Sequence, residues 1–270
     1  MLSKIKTFIK LVVNLLLKIS FINKILNLIN RINENSKYEI TILNKNFFFA
    51  KSNNLNEYRV KTFLTKEPET INWINTFEKG SIFWDIGANI GLYSLYASII
   101  SKCKTYSFEP SVFNLEILAR NINLNSQNNN ITLIPISLSS NKSISEFFCS
   151  STEKSGALSS FATKIDQHGG NLRSAFSYST IGISIDELID FYKLEYPDYI
   201  KIDVDGNEHI ILQGAKNSLK YCKSILLELS DHYSSQILTS VEILKENNFK
   251  LESKFYKSSS QQSNQIWTKV

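Results

Sequence analysis

The amino-acid sequence predicts an α/β fold: a mostly parallel sheet that ends in an antiparallel hairpin. Three observations predict it. From Ser81 onward, short buried apolar runs alternate with amphipathic stretches, the pattern of parallel strands joined by crossover helices. The first run ends in an acid and passes into Gly87-Ala88-Asn89-Ile90-Gly91, whose glycines permit a tight strand-to-helix turn. After Phe249, two short strand-like runs, residues 250–255 and 265–270, suit a closing hairpin at the sheet edge.

Residues 2–32 read as helix, broken near Ser20. Ser3, Thr7, Lys10, Asn14 and Lys18 form a narrow polar stripe at helical spacing, and Asn23, Asn27 and Asn30 form a second. Residues 38–50 read as a hairpin turning at Asn44-Lys45-Asn46. Residues 58–74 read as helix punctuated by Pro68, with Trp73 and Phe77 in the core. Strands follow at 81–86, 104–109, 131–137, 199–204 and 224–229, with helices at 93–101, 111–123, 184–192 and 208–221. The Asn-rich stretch 121–130 is a surface connection. Residues 139–181, rich in Ser and Gly, break the alternation; a strand is expected at 144–149, and the stretch either covers a pocket or is a surface excursion. Three units result: a basic amphipathic helical segment over 1–35, a hairpin and helix over 36–79, and the main α/β domain over 80–270.

Composition narrows the class. With 43% hydrophobic and 20% charged residues in 270, the chain has the material for a real core. The net charge is +5, and its placement is uneven. Lys4, Lys6, Lys10, Lys18, Lys24 and Arg31 precede the first acid, Glu34, and the rest of the chain is near neutral. The positive charge therefore belongs to the N-terminal segment, and no nucleic-acid partner is expected. Cys103, Cys149 and Cys222 are far apart and odd in number, so neither a disulfide framework nor a zinc site is expected. Their usage fits a reducing, cytoplasmic compartment.

The strongest chemical signal is residues 82–91. Asp85 closes the strand, and Gly87, Asn89 and Gly91 shape the turn. At the next strand end, Phe108-Glu109-Pro110 puts a carboxylate where a ribose diol needs an acceptor for two hydrogen bonds. A dinucleotide fold would carry G-x-G-x-x-G and bring backbone N–H groups against a pyrophosphate. This turn differs, and Asp85 beside it repels phosphate while suiting an ammonium group. S-adenosylmethionine carries such a cation and no phosphate. A nicotinamide oxidoreductase is therefore the weaker reading, and a silent binding module is the other alternative.

The runs Asp85-Ile86-Gly87-Ala88-Asn89-Ile90-Gly91, Phe108-Glu109-Pro110 and Lys201-Ile202-Asp203-Val204-Asp205-Gly206-Asn207-Glu208 resemble the FkbM family of methyltransferases. The resemblance spans roughly residues 80–230, including Ile183-Ser184-Ile185-Asp186-Glu187-Leu188, and stops short of residues 1–35. It implies a Rossmann-like class I methyltransferase fold, S-adenosyl-L-methionine as cofactor, and methyl transfer to oxygen, often a sugar hydroxyl of a small molecule or glycan. It also implies that Asp85, Gly87, Asn89 and Gly91 line the cofactor's amino-acid end, that Glu109 binds its ribose, and that Ser137 sits near the adenine. The family commonly has Glu where this chain has Asp205, which shortens the reach and leaves that residue's role open.

Transfer to a hydroxyl needs alignment of the acceptor and removal of its proton. The fourth strand end supplies the groups. Alternation would put Lys201, Asp203 and Asp205 on one face. Asp203 or Asp205 is the expected base or acceptor anchor, with Lys201 orienting the carboxylate. Glu208 caps the next helix or contacts the acceptor, and Glu228 is a second-rank candidate. A structural charge cluster is the bland alternative, and a divalent ion on these carboxylates a third; no metal ligand is assigned. Asp203-Val204-Asp205 also matches the D-x-D string of glycosyltransferases, but it follows a complete cofactor loop. His168, His209 and His232 read as surface residues first and as bases second. For residues 1–33 two readings stay open: docking at the inner face of an anionic membrane, or packing on the domain or on a second subunit.

Overall fold

The computed structural model describes residues 2–16, 20–257 and 262–270. Two described helices lead, α1 (Leu2–Leu16) and α2 (Ser20–Glu34); residues 17–19, beside the break expected near Ser20, lie outside the described residues. A hairpin follows, β1 (Lys37–Ile42) and β2 (Lys45–Ala50). Its turn is Leu43-Asn44, both at positive φ, one residue earlier than expected. Two left-handed residues match the twist of a two-residue hairpin. The expected helix over 58–74 is two helices, α3 (Asn54–Lys61) and α4 (Pro68–Ile74). Pro68 starts the second because it lacks the N–H that a first-turn residue leaves unused.

The main sheet contains β3 (Ile82–Ile86), β4 (Lys104–Phe108) and β5 (Ile131–Ile134). Between them run α5 (Leu92–Tyr96), widened into a π turn over Ala97–Ser101, and α6 (Val112–Leu124). Next come β6 (Ser137–Leu138), β7 (Ser143–Cys149), β8 (Ser159–Phe161) and β9 (Phe176–Ile183), which form a second, four-stranded sheet. The third predicted strand therefore ends at Ile134, and Ser137 belongs to this second sheet. The Ser- and Gly-rich stretch is thus structured. The chain returns through α7 (Ile185–Tyr192), β10 (Tyr199–Ile202), α8 (Glu208–Gln213), β11 (Ser224–Ser230), α9 (Ser234–Glu246), β12 (Phe249–Tyr256) and β13 (Gln262–Lys269). Helix α8 is less than half its expected length, and α9 has no counterpart in the sequence reading.

The main sheet has the order β12-β13-β11-β10-β3-β4-β5. Its pairs from β11 to β5 are parallel, and β13 runs antiparallel to both neighbours. That is the predicted parallel sheet with its closing hairpin, in the order of a Rossmann-like class I methyltransferase. Period-two alternation separates two cores. Phe83 packs with Phe47, Phe49, Phe63, Trp73 and Tyr96 on one face. Trp84 and Ile86 pack with Phe108, Ile200, Leu212 and Trp267 on the other. The hairpin and α3–α4 share the first core with the sheet.

Gly91 shows what this packing demands. It starts α5 at φ 83°, and a Cβ there would lie 2.4 Å from Leu118 Cδ1 on α6. Gly91→Ala is expected to cost on the order of 2–4 kcal/mol, from left-handed strain plus overpacking. Denaturant unfolding measures it; an unchanged midpoint would contradict this packing.

Candidate functional site

A cavity of about 1010 Å³ opens at the carboxyl ends of the parallel strands. Topology explains its place, because β3 and β4 lead into helices on one side of the sheet while β10 and β11 lead into helices on the other. Gly87, Asn89, Glu109, Ser137, Asp203 and Asp205 all line it. Six of the ten sequence-predicted site residues therefore converge on one wall, drawn from three strand ends and the first residue of the second sheet.

Gly87 makes the convergence possible. At φ 83°, its missing Cβ would sit 1.9 Å from the Asp203 carbonyl oxygen, so only glycine lets the β3 turn abut the end of β10. Glu109 is clamped beside it. Its Oε2 accepts from the Asn89 backbone N–H at 2.8 Å and its Oε1 from that of Ser111 at 2.7 Å. Burial outweighs these bonds and pushes its pKa up to about 7. Three buried polar atoms on the same wall, Ser137 Oγ, Asn89 Oδ1 and Asn114 Oδ1, have no protein partner. Buried polar groups are ordinarily paired, so these point to a polar ligand. Ile136, Leu138, Phe147, Phe161 and Ile211 make an apolar slot beside them.

Four predicted residues lie elsewhere, and each has a physical reason. Asp85 is fully buried behind the turn, because it shares the Phe83 face of β3. Its Oδ2 accepts from Ser94 Oγ at 2.5 Å, and Ser107 Oγ donates to Ser94 Oγ at 2.7 Å. Gly91 contacts α6, as described. Glu208 is buried beneath the β10 turn, where it accepts from the backbone N–H groups of Val204 and Gly206 and from Gln236. It holds the turn and meets no acceptor space; burial raises its pKa to about 7. Lys201 is 1% exposed, lines a small recess adjoining the cavity and reaches Asp203 Oδ2 at 2.7 Å.

The fourth strand end also departs from simple alternation. The strand stops at Ile202, and Asp205 turns at φ 59°, a left-handed conformation that Asp tolerates. Asp205 is thereby aimed at the second sheet, where its Oδ2 accepts from the Leu158 N–H at 2.6 Å. Burial and the neighbouring Asp203 raise its pKa to about 6. Asp203 behaves oppositely. Burial disfavours its charge, but Lys201 and Lys257 outweigh burial and hold it well below the usual carboxylate range.

Two charged groups here, Glu67 and Lys257, escaped the sequence reading, and they meet the second-rank candidate Glu228. Glu67, 2% exposed, accepts from the Tyr93 hydroxyl at 2.8 Å and pairs with Lys257 at 2.8 Å. Burial opposes its ionisation, and Lys257 still brings its pKa down to about 2. Lys257 also pairs with Glu228, and both line the cavity. Burial and the charge of Asp203 raise the Glu228 pKa well above normal. No local pattern marks Lys257; only the β12–β13 hairpin brings it here. None of the three histidines lines the cavity. Among the described residues, no group of three or more His, Cys, Asp or Glu is placed to hold a metal ion.

The second sheet and its loop form one side of the cavity. The Gly156 carbonyl accepts from Asn89 Nδ2 at 2.6 Å and Asn114 Nδ2 at 3.1 Å, and Arg59 Nε donates to the Ser155 carbonyl at 2.7 Å. One loop of the second sheet thus ties α3, the glycine turn, α6 and Asp205 together.

The chain is similar to known proteins at several levels. A curated relative, the hexuronic acid methyltransferase AglP of Haloferax volcanii, is 28% identical over 153 residues, which cover 56% of this chain and 57% of that protein. The match thus spans little more than half of the relative's length. Among solved structures, precorrin-6y C5,15-methyltransferase from Geobacter metallireducens aligns with a TM-score of 0.44 at 17% identity, over 82% of this chain and 94% of that one. Fibrillarin from Aeropyrum pernix, solved with natively bound S-adenosyl-L-methionine, aligns with a TM-score of 0.46 at 12% identity, over 87% and 84%. The family model of the Methyltransferase FkbM domain matches residues 85–251, from Asp85 in β3 to Leu251 in β12. Those residues hold the glycine turn, Glu109 and the β10 turn just described, and the chain belongs to the FkbM methyltransferase domain family.

Proposed function

We propose that the protein is an S-adenosyl-L-methionine-dependent O-methyltransferase whose acceptor is a sugar hydroxyl, with a hexuronic acid as the first candidate. The observation that carries the cofactor is the wall at the ends of β3 and β4. There a clamped carboxylate, Glu109, stands beside an apolar slot rimmed by the unpartnered Ser137 Oγ, Asn89 Oδ1 and Asn114 Oδ1. Those groups fit the cofactor's ribose diol and adenine. Gly87, Asn89 and Asp203 also border a small adjoining recess with Tyr93, which suits a charged amino-acid end. Bound there, the cofactor supplies an electrophilic methyl group on a sulfonium.

The acceptor side of the cavity differs in character. Tyr58, Phe255 and Tyr256 are exposed aromatics, and Lys66 and Lys254 stand among them. Aromatic faces suit sugar rings, and ammonium groups suit a uronate carboxylate. The similarity to AglP, a hexuronic acid methyltransferase, favours the same class of acceptor. Asp205 is the proposed base. With a pKa near 6 it is ionised at neutral pH yet still basic enough to take a hydroxyl proton. Asp203, held ionised by Lys201 and Lys257, is a poor proton acceptor and instead orients the hydroxyl. Lys201 and Glu208 are positioning residues. The first fixes the Asp203 carboxylate, and the second fixes the turn that carries Asp205.

Two predictions follow from these assignments. With labelled S-adenosylmethionine and a glucuronoside acceptor, label is expected to enter the acceptor. The rate should rise with pH through about 6 and level off above it, because only ionised Asp205 accepts the proton. Asp205→Asn should lose that rise and roughly 10²–10⁴-fold in rate, with cofactor affinity nearly unchanged. Full activity in the variant would remove Asp205 from the chemistry. The second prediction concerns Glu109, whose ionised form accepts from the diol. Affinity for S-adenosylhomocysteine should therefore rise with pH through about 7. Calorimetry on Glu109→Gln should show weaker binding without that pH dependence, and an unaltered profile would remove the ribose assignment.

A further inference from the structure

The N-terminal helices carry an apolar face that nothing in the described chain covers. In α2, Phe21, Ile25, Leu28, Ile29 and Ile32 fall within less than half of the helix circumference, and all are exposed. Phe21 is 68% exposed and Leu28 57%. In α1, Ile5, Phe8, Leu11, Val12 and Leu15 form a broader apolar side, with Phe8 at 67% and Leu11 at 68%. The described side chains of α1 and α2 do not support the reading in which the segment packs on the domain. An exposed apolar face of this size marks an interaction surface.

Charge selects the partner. Lys6 and Lys10 lie on the side of α1 opposite those five residues, beyond Ile9 and Val13, while Lys24 and Arg31 border the apolar face of α2. With Lys4 and Lys18 they make six cations before the first acid, in a chain whose remainder is near neutral. A second copy of the helices would bring the same six cations against them. Nucleic acid would satisfy the charges and leave the apolar side wet. The surface of a bilayer rich in acidic phospholipids takes both: acyl chains receive the apolar face, and anionic headgroups attract the cations beside and above it. The described part of each helix is 15 residues, about 22 Å, against a hydrocarbon core of about 30 Å. No described helix is long and apolar enough to cross a membrane.

We propose that α1 and α2 lie in the plane of an acidic phospholipid surface and dock the enzyme there. The test is sedimentation of the full chain with vesicles of phosphatidylcholine alone and of phosphatidylcholine mixed with phosphatidylglycerol. The protein should sediment with the mixed vesicles only and be released by raised salt. Lys6→Gln and Lys10→Gln should each weaken partitioning on the order of fivefold. Phe21→Asp with Leu28→Asp should abolish it while leaving the unfolding midpoint unchanged. Protein that stays in the supernatant, that sediments equally with both vesicles, or whose Asp and Gln variants sediment like the parent would overturn the proposal. A solution dimer that the Asp variant dissolves would assign the face to a second copy and overturn it as well.

Discussion

The Lys201–Asp203 ion pair lies where the two halves of the cavity meet. Lys201 is buried on the first-core face of β10, with Asp85 as its register partner on β3. Its ammonium stands 5.1 Å from the centre of the Tyr93 ring and 2.7 Å from Asp203 Oδ2. A buried cation with one carboxylate removed would cost on the order of 3–5 kcal/mol, so the pair constrains everything attached to it. Asp203 in turn sits against Gly87, and Gly87 leads to the loop that clamps Glu109. The proposed cofactor wall and the proposed proton acceptor are therefore built from one rigid junction of β3, β4 and β10.

Charge around that junction is arranged to split the acids into two kinds. Glu67 and Asp203 share the cations Lys257 and Lys201 and stay ionised. At Glu109, Asp205 and Glu208 no cation outweighs burial, which raises all three. Acids of unequal strength a few residues apart allow one to orient a hydroxyl while another accepts its proton. The second sheet completes the enclosure, because its loop binds Asp205 through Leu158 and the glycine turn through Gly156.

Much of this was legible in the sequence because it is local. The strand–turn–helix around Gly87, the Glu109 strand end and the alternation of buried runs all depend on neighbours in the chain. The illegible parts depend on tertiary contacts. Asp85 reads like a cofactor contact, yet strand alternation puts it on the Phe83 face, turned toward Ser94. Asp205 seems to continue the strand, but a left-handed turn redirects it. Lys257 and Glu67 carry no motif and meet only through folding. Residues 139–181 looked irregular because their short strands pair with one another out of sequence order, in the order β6-β9-β7-β8.

The most direct test of the central claim is isothermal titration of the purified protein with S-adenosylhomocysteine, with NADH as the control. Saturable binding of S-adenosylhomocysteine at one site per chain, with no heat from NADH, is the predicted result. Binding of NADH alone, or of neither by folded protein, would contradict the account.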